Sequence, residues 1–260
     1  MVRAHRGRRL TLGKLESKVA IVTGGGSGIG KAISREFAKE GASVILAARN
    51  STKLAKTAEE LAAGGSTVLP IPTDVTDEAQ VNSLFERVLA LFGRLDILVN
   101  NAGVTDGGAL MDMSVETWDK VMATNLRGPF LCTRSAMRIM KQQGAGRILN
   151  IGSISAQRPR FNSAPYATSK FGIWGLTIVT ALEGREYGVS ACCLHPGNVR
   201  VEGSAEEAGA VSGIPGYSSE PMMKPDEIAA VATLMASLPP HMNMLEATVL
   251  PVKQAYLGRG

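Results

Sequence analysis

A short apolar run, Lys18-Val-Ala-Ile-Val-Thr, leads straight into Gly24-Gly-Gly-Ser-Gly-Ile-Gly30 and then into Lys31-Ala-Ile-Ser-Arg-Glu-Phe-Ala-Lys-Glu, which Gly41 stops. A continuous apolar run of this length reads as a strand buried on both faces, and the segment after the glycines reads as an amphipathic helix with a glycine C-terminus. The same alternation repeats along the chain. Ser43-Val-Ile-Leu-Ala-Ala, Thr67-Val-Leu-Pro-Ile, Leu95-Asp-Ile-Leu-Val, Arg147-Ile-Leu-Asn-Ile and Val189 to Leu194 read as strands, and Glu246 to Pro251 offers a last one. Between them fall helices: from Ser51, as N-cap, through Leu61; over Asp77 to Phe92, with Leu84, Val88 and Leu91 on one face; from about Thr117; from about Pro129; over Tyr166 to Tyr187; and from Pro225 to about Ser237. Strands that alternate with helices must return through right-handed crossovers, which gives an α/β doubly wound parallel sheet flanked by helices in three layers. At 260 residues the chain can hold one such domain, over 15–260.

The glycine loop carries the first chemical expectation. Gly24, Ser27, Gly28, Ile29 and Gly30 lie between strand and helix, where glycines permit turns with positive φ and let the backbone approach a pyrophosphate closely. The helix that follows supplies unpaired N–H groups and the positive end of its dipole. The spacing Gly24-x-x-x-Gly28-x-Gly30 differs from the common G-x-G-x-x-G, so the loop carries weight only in its strand–loop–helix context.

The second expectation comes from Tyr166-Ala-Thr-Ser-Lys170. On a helix, residues four apart share a face. A lysine ammonium beside a phenol favours the phenolate and lowers the tyrosine pKa from ~10 toward neutrality, where the tyrosine can exchange a proton. Taken alone, such a pair is most often a plain helix face. Ser153 stands thirteen residues before Tyr166, at the end of the Arg147 strand, so its hydroxyl can reach the carboxyl edge of the sheet.

The net charge of +5 raises the question of nucleic acid, but the five basic residues of 1–14 account for all of it, and residues 15–260 are neutral. Residues 1–14 are expected to be a disordered tail, with no role in nucleic-acid binding. No apolar segment follows Arg8-Arg9 as an export signal would require, and no stretch reaches the ~18 apolar residues of a membrane helix. The three cysteines, Cys132, Cys192 and Cys193, lie in apolar segments without metal-ligand spacing. They read as reduced thiols of a cytoplasmic protein, and no metal is expected. His195 ends an apolar strand and reads as structural or pocket-lining. Residues 198–224, rich in Gly, Ser, Glu and Met, are expected to form a lid.

The motifs Thr23-Gly-x-x-x-Gly-x-Gly30, Asp74-Val75, Asn100-Asn-Ala-Gly103, Asn125, Ser153, Tyr166-x-x-x-Lys170 and Pro196-Gly197 run in order from about Lys18 to Gly197. In this the chain resembles the short-chain dehydrogenase/reductase family, nearest to its 3-oxoacyl-thioester reductase type. The resemblance implies a single Rossmann-like domain and an NAD(P)-dependent oxidoreductase acting on a small-molecule carbonyl or secondary alcohol: a 3-oxoacyl compound, a 3-hydroxy acid or a similar ketone. It implies that Tyr166 is the proton donor or acceptor, and that Lys170 lowers its pKa and binds the nicotinamide ribose. Ser153 would hold the substrate oxygen, and Asn125 a water that links Lys170 to solvent. Asp74 and Val75 would contact the adenine, and Asn101, Ala102 and Gly103 line the cofactor channel. Pro196, Gly197 and Val199 complete the implied cofactor set. Val201 stands where the family often has a threonine, and the ending from Leu250 looks more like that of NADP-dependent reductases of small hydroxy acids than of acyl reductases. In the family the elements corresponding to Trp118–Arg138 and Tyr166–Tyr187 pair across two-folds, so a homotetramer or homodimer is expected. Thr105, Asp106, Ile154, Arg160 and Phe161 are expected to shape the substrate pocket.

Cofactor choice is read at the end of the second strand. An acidic residue there binds the adenosine ribose 2′-hydroxyl and repels a 2′-phosphate. Here that position is Ala48, followed by Arg49, whose guanidinium can bind a phosphate; Asn50 and Ser51 could add hydrogen bonds. NADP(H) is therefore favoured over NAD(H), although Ser27 takes the place of the usual second basic residue. Two alternatives stand beside this reading: an NAD-dependent alcohol or sugar dehydrogenase, and a catalytically silent dinucleotide-sensing protein.

Overall fold

The computed structural model describes residues 13–201 and 221–256. The basic tail over 1–12, most of the expected lid (202–220) and the last four residues lie outside them. Seven strands, β1 (Val19–Thr23), β2 (Ser43–Ala48), β3 (Val68–Pro72), β4 (Ile97–Asn100), β5 (Gly146–Ile151), β6 (Val189–Pro196) and β7 (Glu246–Val249), form one sheet in the order β3-β2-β1-β4-β5-β6-β7. Every pairing is parallel. The strand order reverses beside β1, so β1 and β4 diverge at their carboxyl ends and open a crevice there.

Helices α1 (Gly28–Lys39), α2 (Ser51–Ala62) and α7 (Pro225–Ser237) cover one face. Ile33, Phe37, Leu54 and Ile228 pack there against Val22, Val44 and Leu194. Helices α3 (Glu78–Phe92), α5 (Gly128–Gln143) and α6 (Ala164–Gly184) cover the other, where Leu84, Val88, Leu131 and Met140 meet Ile21, Leu98 and Ile148. The inner strands β1, β2, β4, β5 and β6 are mostly apolar because both of their faces are buried, whereas β7 at the edge is only half-buried.

Several boundaries differ from the sequence reading, each for a local reason. Asn50, not Ser51, caps α2, its side-chain oxygen accepting from the Lys53 N–H at 2.9 Å. Leu91 is 55% exposed. At 3.6 residues per turn the buried row runs Val81, Leu84/Phe85, Val88, and then drifts to Phe92, which packs on the core in its stead. The helix expected from Thr117 begins earlier, as α4 (Val115–Met122) capped by Ser114. It runs through a π-helical turn, Ala123–Arg127, directly into α5. Strand β7 ends at Val249, before Pro251, which has no N–H to give to a ladder. Gly13 and Lys14 already belong to the folded body: the Lys14 N–H donates to Glu40 Oε2 at 2.7 Å, and Leu15 beside it is buried.

The cysteines are all buried and free, and burial pushes each thiol up to about 12. No helix among the described residues is long and apolar enough to cross a membrane. Nor do three or more His, Cys, Asp or Glu side chains among them gather into a metal site.

Candidate active site

The crevice at the carboxyl ends of β1, β4, β5 and β6 is a cavity of about 520 Å³. Its floor comes from the glycine loop, its walls from the segments after β4, β5 and β6, and its far side from the first turns of α6. Gly24, Ser27, Gly28, Ile29, Asn101, Ala102, Gly103, Ser153, Tyr166, Lys170, Pro196, Gly197 and Val199 all line it. Residues as far apart in the sequence as Gly24 and Val199 thus converge where five separate chain segments meet.

The glycines are there because backbone must lie where side chains would not fit. Gly24 and Gly28 have φ of +66° and +53°, in the left-handed region. A Cβ at Gly28 would sit 2.7 Å from Val201 Cγ1, and one at Gly30 would sit 2.4 Å from both Gly24 O and Asn101 Nδ2. Asn101 explains the second collision: its Nδ2 donates to Thr23 O at 2.9 Å, tying the end of β4 to the end of β1. Thr23 Oγ1 accepts in return from the N–H groups of Asn101 and Ala102, at 2.9 and 3.1 Å. At the α1 N-terminus Ser27 makes no side-chain cap and the first turn holds no acid, so its N–H groups face the cavity uncapped. This bare, donor-rich cradle fits the pyrophosphate of a dinucleotide.

Ser153 follows β5. Its Oγ accepts from the Ser155 N–H at 3.0 Å, which fixes the rotamer and leaves the O–H to donate. Behind it lies His195 of β6, fully buried, with Nδ1 3.0 Å from Ser153 O and 3.3 Å from Ser153 N. His195 does not line the cavity. Burial lowers its pKa, so the neutral ring acts as a wedge that holds the Ser153 backbone in place. A Cβ on Gly152 would meet that ring at 2.6 Å, so glycine is required between strand and serine.

Tyr166 and Lys170 occupy successive turns of α6. Lys170 Nζ lies 5.5 Å from the centre of the Tyr166 ring and donates to Ile151 O at 2.8 Å. The lysine is buried, and desolvation lowers its pKa from the usual 10.5 to about 8, an effect that the Cys193 thiol beside it partly offsets. Asn125 sits in the π-helical turn, outside the cavity lining. Its Oδ1 accepts from the Val104 N–H at 2.8 Å; its Nδ2 donates to Val104 O at 2.8 Å and to Ser169 Oγ at 3.2 Å. It therefore binds the wall after β4 to α6 one residue from Lys170. The π turn places this amide there, since an extra residue in a helix rotates a side chain out of register.

The remaining expected residues lie apart from the lining. Arg49 follows β2 and is exposed, with no hydrogen-bond or ion-pair partner among the described residues. Asn50 has its side-chain oxygen committed to the α2 cap. Asp74 Oδ1 accepts from Thr76 N–H and Oγ1 at 2.9 and 2.8 Å, a local turn after β3, and Val75 packs under Gly128. Of the residues expected to shape the pocket, Thr105, Ile154, Arg160 and Phe161 line it. Asp106 does not: it pairs with Lys120 at 2.6 Å. At the expected lid only the two ends are described, and they are joined, with Arg200 N–H donating to Met223 O and Met223 N–H to Asn198 O, both at 2.9 Å.

Sequence reasoning missed Asn198 and Gln254. Gln254 is buried, and its Oε1 accepts from the Asn198 N–H at 3.0 Å, fixing the turn after β6. It also missed a buried amide ladder. Asn100 Nδ2 donates to Thr133 Oγ1 at 3.0 Å and to Asn150 Oδ1 at 2.8 Å, and Asn150 Nδ2 to Thr177 Oγ1 at 2.8 Å. Asparagines at the ends of two apolar strands were the available signal.

Residues 18–210 match the family model described as short chain dehydrogenase. An uncharacterized oxidoreductase of Staphylococcus aureus (strain MRSA252) is 33% identical over 238 residues, 92% of this chain and 99% of that protein. A metagenomic short-chain oxidoreductase solved in complex with NADP superposes with a TM-score of 0.78 at 34% identity, covering 92% of this chain and 99% of the other. An actinorhodin polyketide ketoreductase variant solved with NADPH superposes with a TM-score of 0.83 at 31% identity, covering 90% and 95%.

Proposed function

The chain belongs to the short-chain dehydrogenase family, and on that premise we propose that it is an NADP(H)-dependent ketone reductase in which Tyr166 is the proton donor and, in reverse, the acceptor. The observation that carries this is the convergence of Ser153, Tyr166 and Lys170 on one cavity whose floor is the glycine cradle. The nicotinamide cofactor, when bound, supplies the hydride. In the reducing direction the ketone carbon gains that hydride, its oxygen gains the Tyr166 proton, and a secondary alcohol leaves. Ser153 donates a hydrogen bond to the same oxygen and sets its distance from the phenol. Lys170 holds positive charge beside the ring and so favours the phenolate that forms. Asn125 keeps the wall after β4 and the α6 turn at fixed separation, and through them the position of Lys170.

The preference for NADP(H) rests on Arg49. It lies where the second strand ends, Ala48 before it carries no charge to repel a 2′-phosphate, and its guanidinium is exposed. The relatives with NADP and NADPH in their solved structures support the same reading. The test is steady-state reduction of a ketone panel with each nucleotide. Arg49→Ala is expected to raise KM for NADPH by roughly tenfold, the worth of a charge-assisted hydrogen-bonded pair, and to leave KM for NADH nearly unchanged. Equal changes for both, or a wild type that favours NADH, would overturn it.

We also propose self-association through the outer faces of α5 and α6. Phe130, Phe171, Ile178, Val179 and Leu182 are 43–57% exposed there, and the four on α6 follow one stripe along the helix. Sedimentation should show a dimer or tetramer at micromolar concentration, and Ile178→Glu with Leu182→Glu should shift it toward monomer. A fully active wild-type monomer would refute the assembly.

A further inference from the structure

Glu246 opens the edge strand β7 and pairs in register with Cys193 of β6. Side chains two apart on a strand share a face, so its carboxylate stands on the same face as Cys193 and His195. Oε1 of Glu246 lies 3.5 Å from His195 Nε2. Gln157 Nε2, from the turn after β5, donates to the same oxygen at 2.7 Å, and the Tyr256 O–H donates to Gln157 Oε1. A carboxylate can only accept. The Gln157 amide must therefore turn its nitrogen to Glu246 and its oxygen to Tyr256, which fixes the direction of both bonds. A charge on an edge strand can serve merely to keep other strands away. This one is also oriented, by a donor that the C-terminal segment holds in place.

The imidazole that this carboxylate faces is fully buried and packed edge-on against Trp174, with 5.8 Å between ring centres. Nδ1 has two polar neighbours, both in the backbone of Ser153: the carbonyl at 3.0 Å and the N–H at 3.3 Å. Nε2 is buried and makes no hydrogen bond among the described residues; it has only the Glu246 carboxylate beside it. Burial, aided by the Lys170 charge, lowers the pKa of the ring against the opposing pull of Ser153 O and Glu246. The neutral ring carries one proton, and its two positions differ in consequence. On Nδ1 the proton goes to Ser153 O and leaves the Nε2 lone pair against a negative charge. On Nε2 it faces the carboxylate, and Nδ1 accepts from the Ser153 N–H. The charge favours the second arrangement.

We infer that Glu246 is a positioning residue that fixes His195 as its Nε2–H tautomer, so that Nδ1 accepts the Ser153 N–H and holds the serine where its hydroxyl meets the substrate oxygen. Neither Glu246 nor His195 lines the cavity, so the effect passes through the backbone at Ser153. That Ser153 meets a substrate rests on the reductase reading above; the tautomer does not. A ring in the other tautomer would pull on the Ser153 carbonyl and release its N–H. Displacing a substrate-holding group by about 1 Å can cost about a hundredfold in rate, so a smaller adjustment of the serine is still measurable.

The test is NMR of the histidine ring nitrogens in wild type, Glu246→Leu and Glu246→Gln. Each carries His5→Gln and His241→Gln, so that His195 is the one histidine observed. Ring nitrogens with and without a proton resonate far apart, and the tautomer is read directly. Near neutral pH, wild type should show Nε2 protonated and Nδ1 bare. Leucine offers no acceptor and should move the proton to Nδ1, whereas glutamine keeps a carbonyl that can accept and should keep the wild-type tautomer. On a ketone that wild type reduces, kcat should fall about tenfold in Glu246→Leu and return to within about threefold of wild type in Glu246→Gln, with NADPH affinity unchanged in both. An Nδ1–H or doubly protonated ring in wild type, or the same tautomer in wild type and both variants, would overturn the proposal. So would equal losses of kcat in the two variants, which would make the edge strand rather than the acceptor responsible. Should Glu246→Leu fail to fold, the wild-type ring and the glutamine variant still decide. The expected tautomers with no ketone reduced by wild type would remove the reductase reading and leave the link between Glu246 and His195 standing.

Discussion

Tyr166→Phe is expected to lower turnover by about 10²- to 10⁴-fold, the usual worth of a positioned proton donor, and to leave NADPH affinity nearly intact. The phenol is partly buried in the first turns of α6, lines the same cavity as Ser153, and has a lysine ammonium 5.5 Å from its ring centre. Phenylalanine keeps the packing and the helix and removes only the hydroxyl. The nucleotide cradle is built from backbone of the Gly24–Gly30 loop and from the Asn101 brace to Thr23, on the ends of β1 and β4 rather than on α6. The two quantities should therefore separate. Single-turnover reduction followed by nucleotide absorbance, alongside fluorescence titration of NADPH, measures both. Turnover close to wild type would remove Tyr166 from the chemistry; a parallel loss of nucleotide binding would mean that the substitution acts through the fold.

The parts of this site that were legible in the sequence are those with local signatures. The glycine loop announces itself because backbone that must turn with positive φ leaves glycine behind, and Tyr166 and Lys170 do so because one helix fixes their spacing. The sheet was legible because strands buried on both faces must be apolar along their whole length. What stayed hidden depends on partners distant in sequence. His195 reads as a strand end until β6 pairs with β5 and sets its ring against Ser153. Asn125 could be assigned a role from its motif, but not the π-helical turn that delivers it, since a one-residue excess in a helix has no compositional mark. Asn198 and Gln254 lie 56 residues apart and meet only because β6 and β7 are neighbours. Leu91 and Ser51 show the smaller error, each off by one: at Leu91 a period of 3.6 drifts past a fixed integer spacing, and before Ser51 stands Asn50, an equally good cap that takes the position.

The second large effect is expected from Lys170→Met, which should depress both turnover and nucleotide affinity and also change how stability depends on pH. The catalytic loss should approach that of Tyr166→Phe, since the phenol loses the charge that favours its ionised form. KM for NADPH should rise with it if the ammonium also binds the nicotinamide ribose. The stability effect follows from burial. Desolvation holds the folded pKa of Lys170 at about 8, against an ordinary 10.5 in the unfolded chain. Between those values the unfolded state binds more protons, so this residue's contribution to stability rises with pH; it is fully present above about 10.5 and lost as pH falls through about 8. Its size is at most roughly 3 kcal/mol. The buried cysteines act oppositely: with folded pKa values near 12 against an ordinary 9.0, they cost stability as pH rises above 9.0. The net profile of wild type therefore conceals the lysine, and the comparison must be made with the variant. Urea denaturation of the nucleotide-free proteins from pH 7.5 to 10.5 should show the midpoint of wild type gaining on that of Lys170→Met across the window. Two profiles that stay parallel would show that the ammonium is not desolvated in the folded protein, and the account of how Lys170 tunes Tyr166 from a dry site would fall with it.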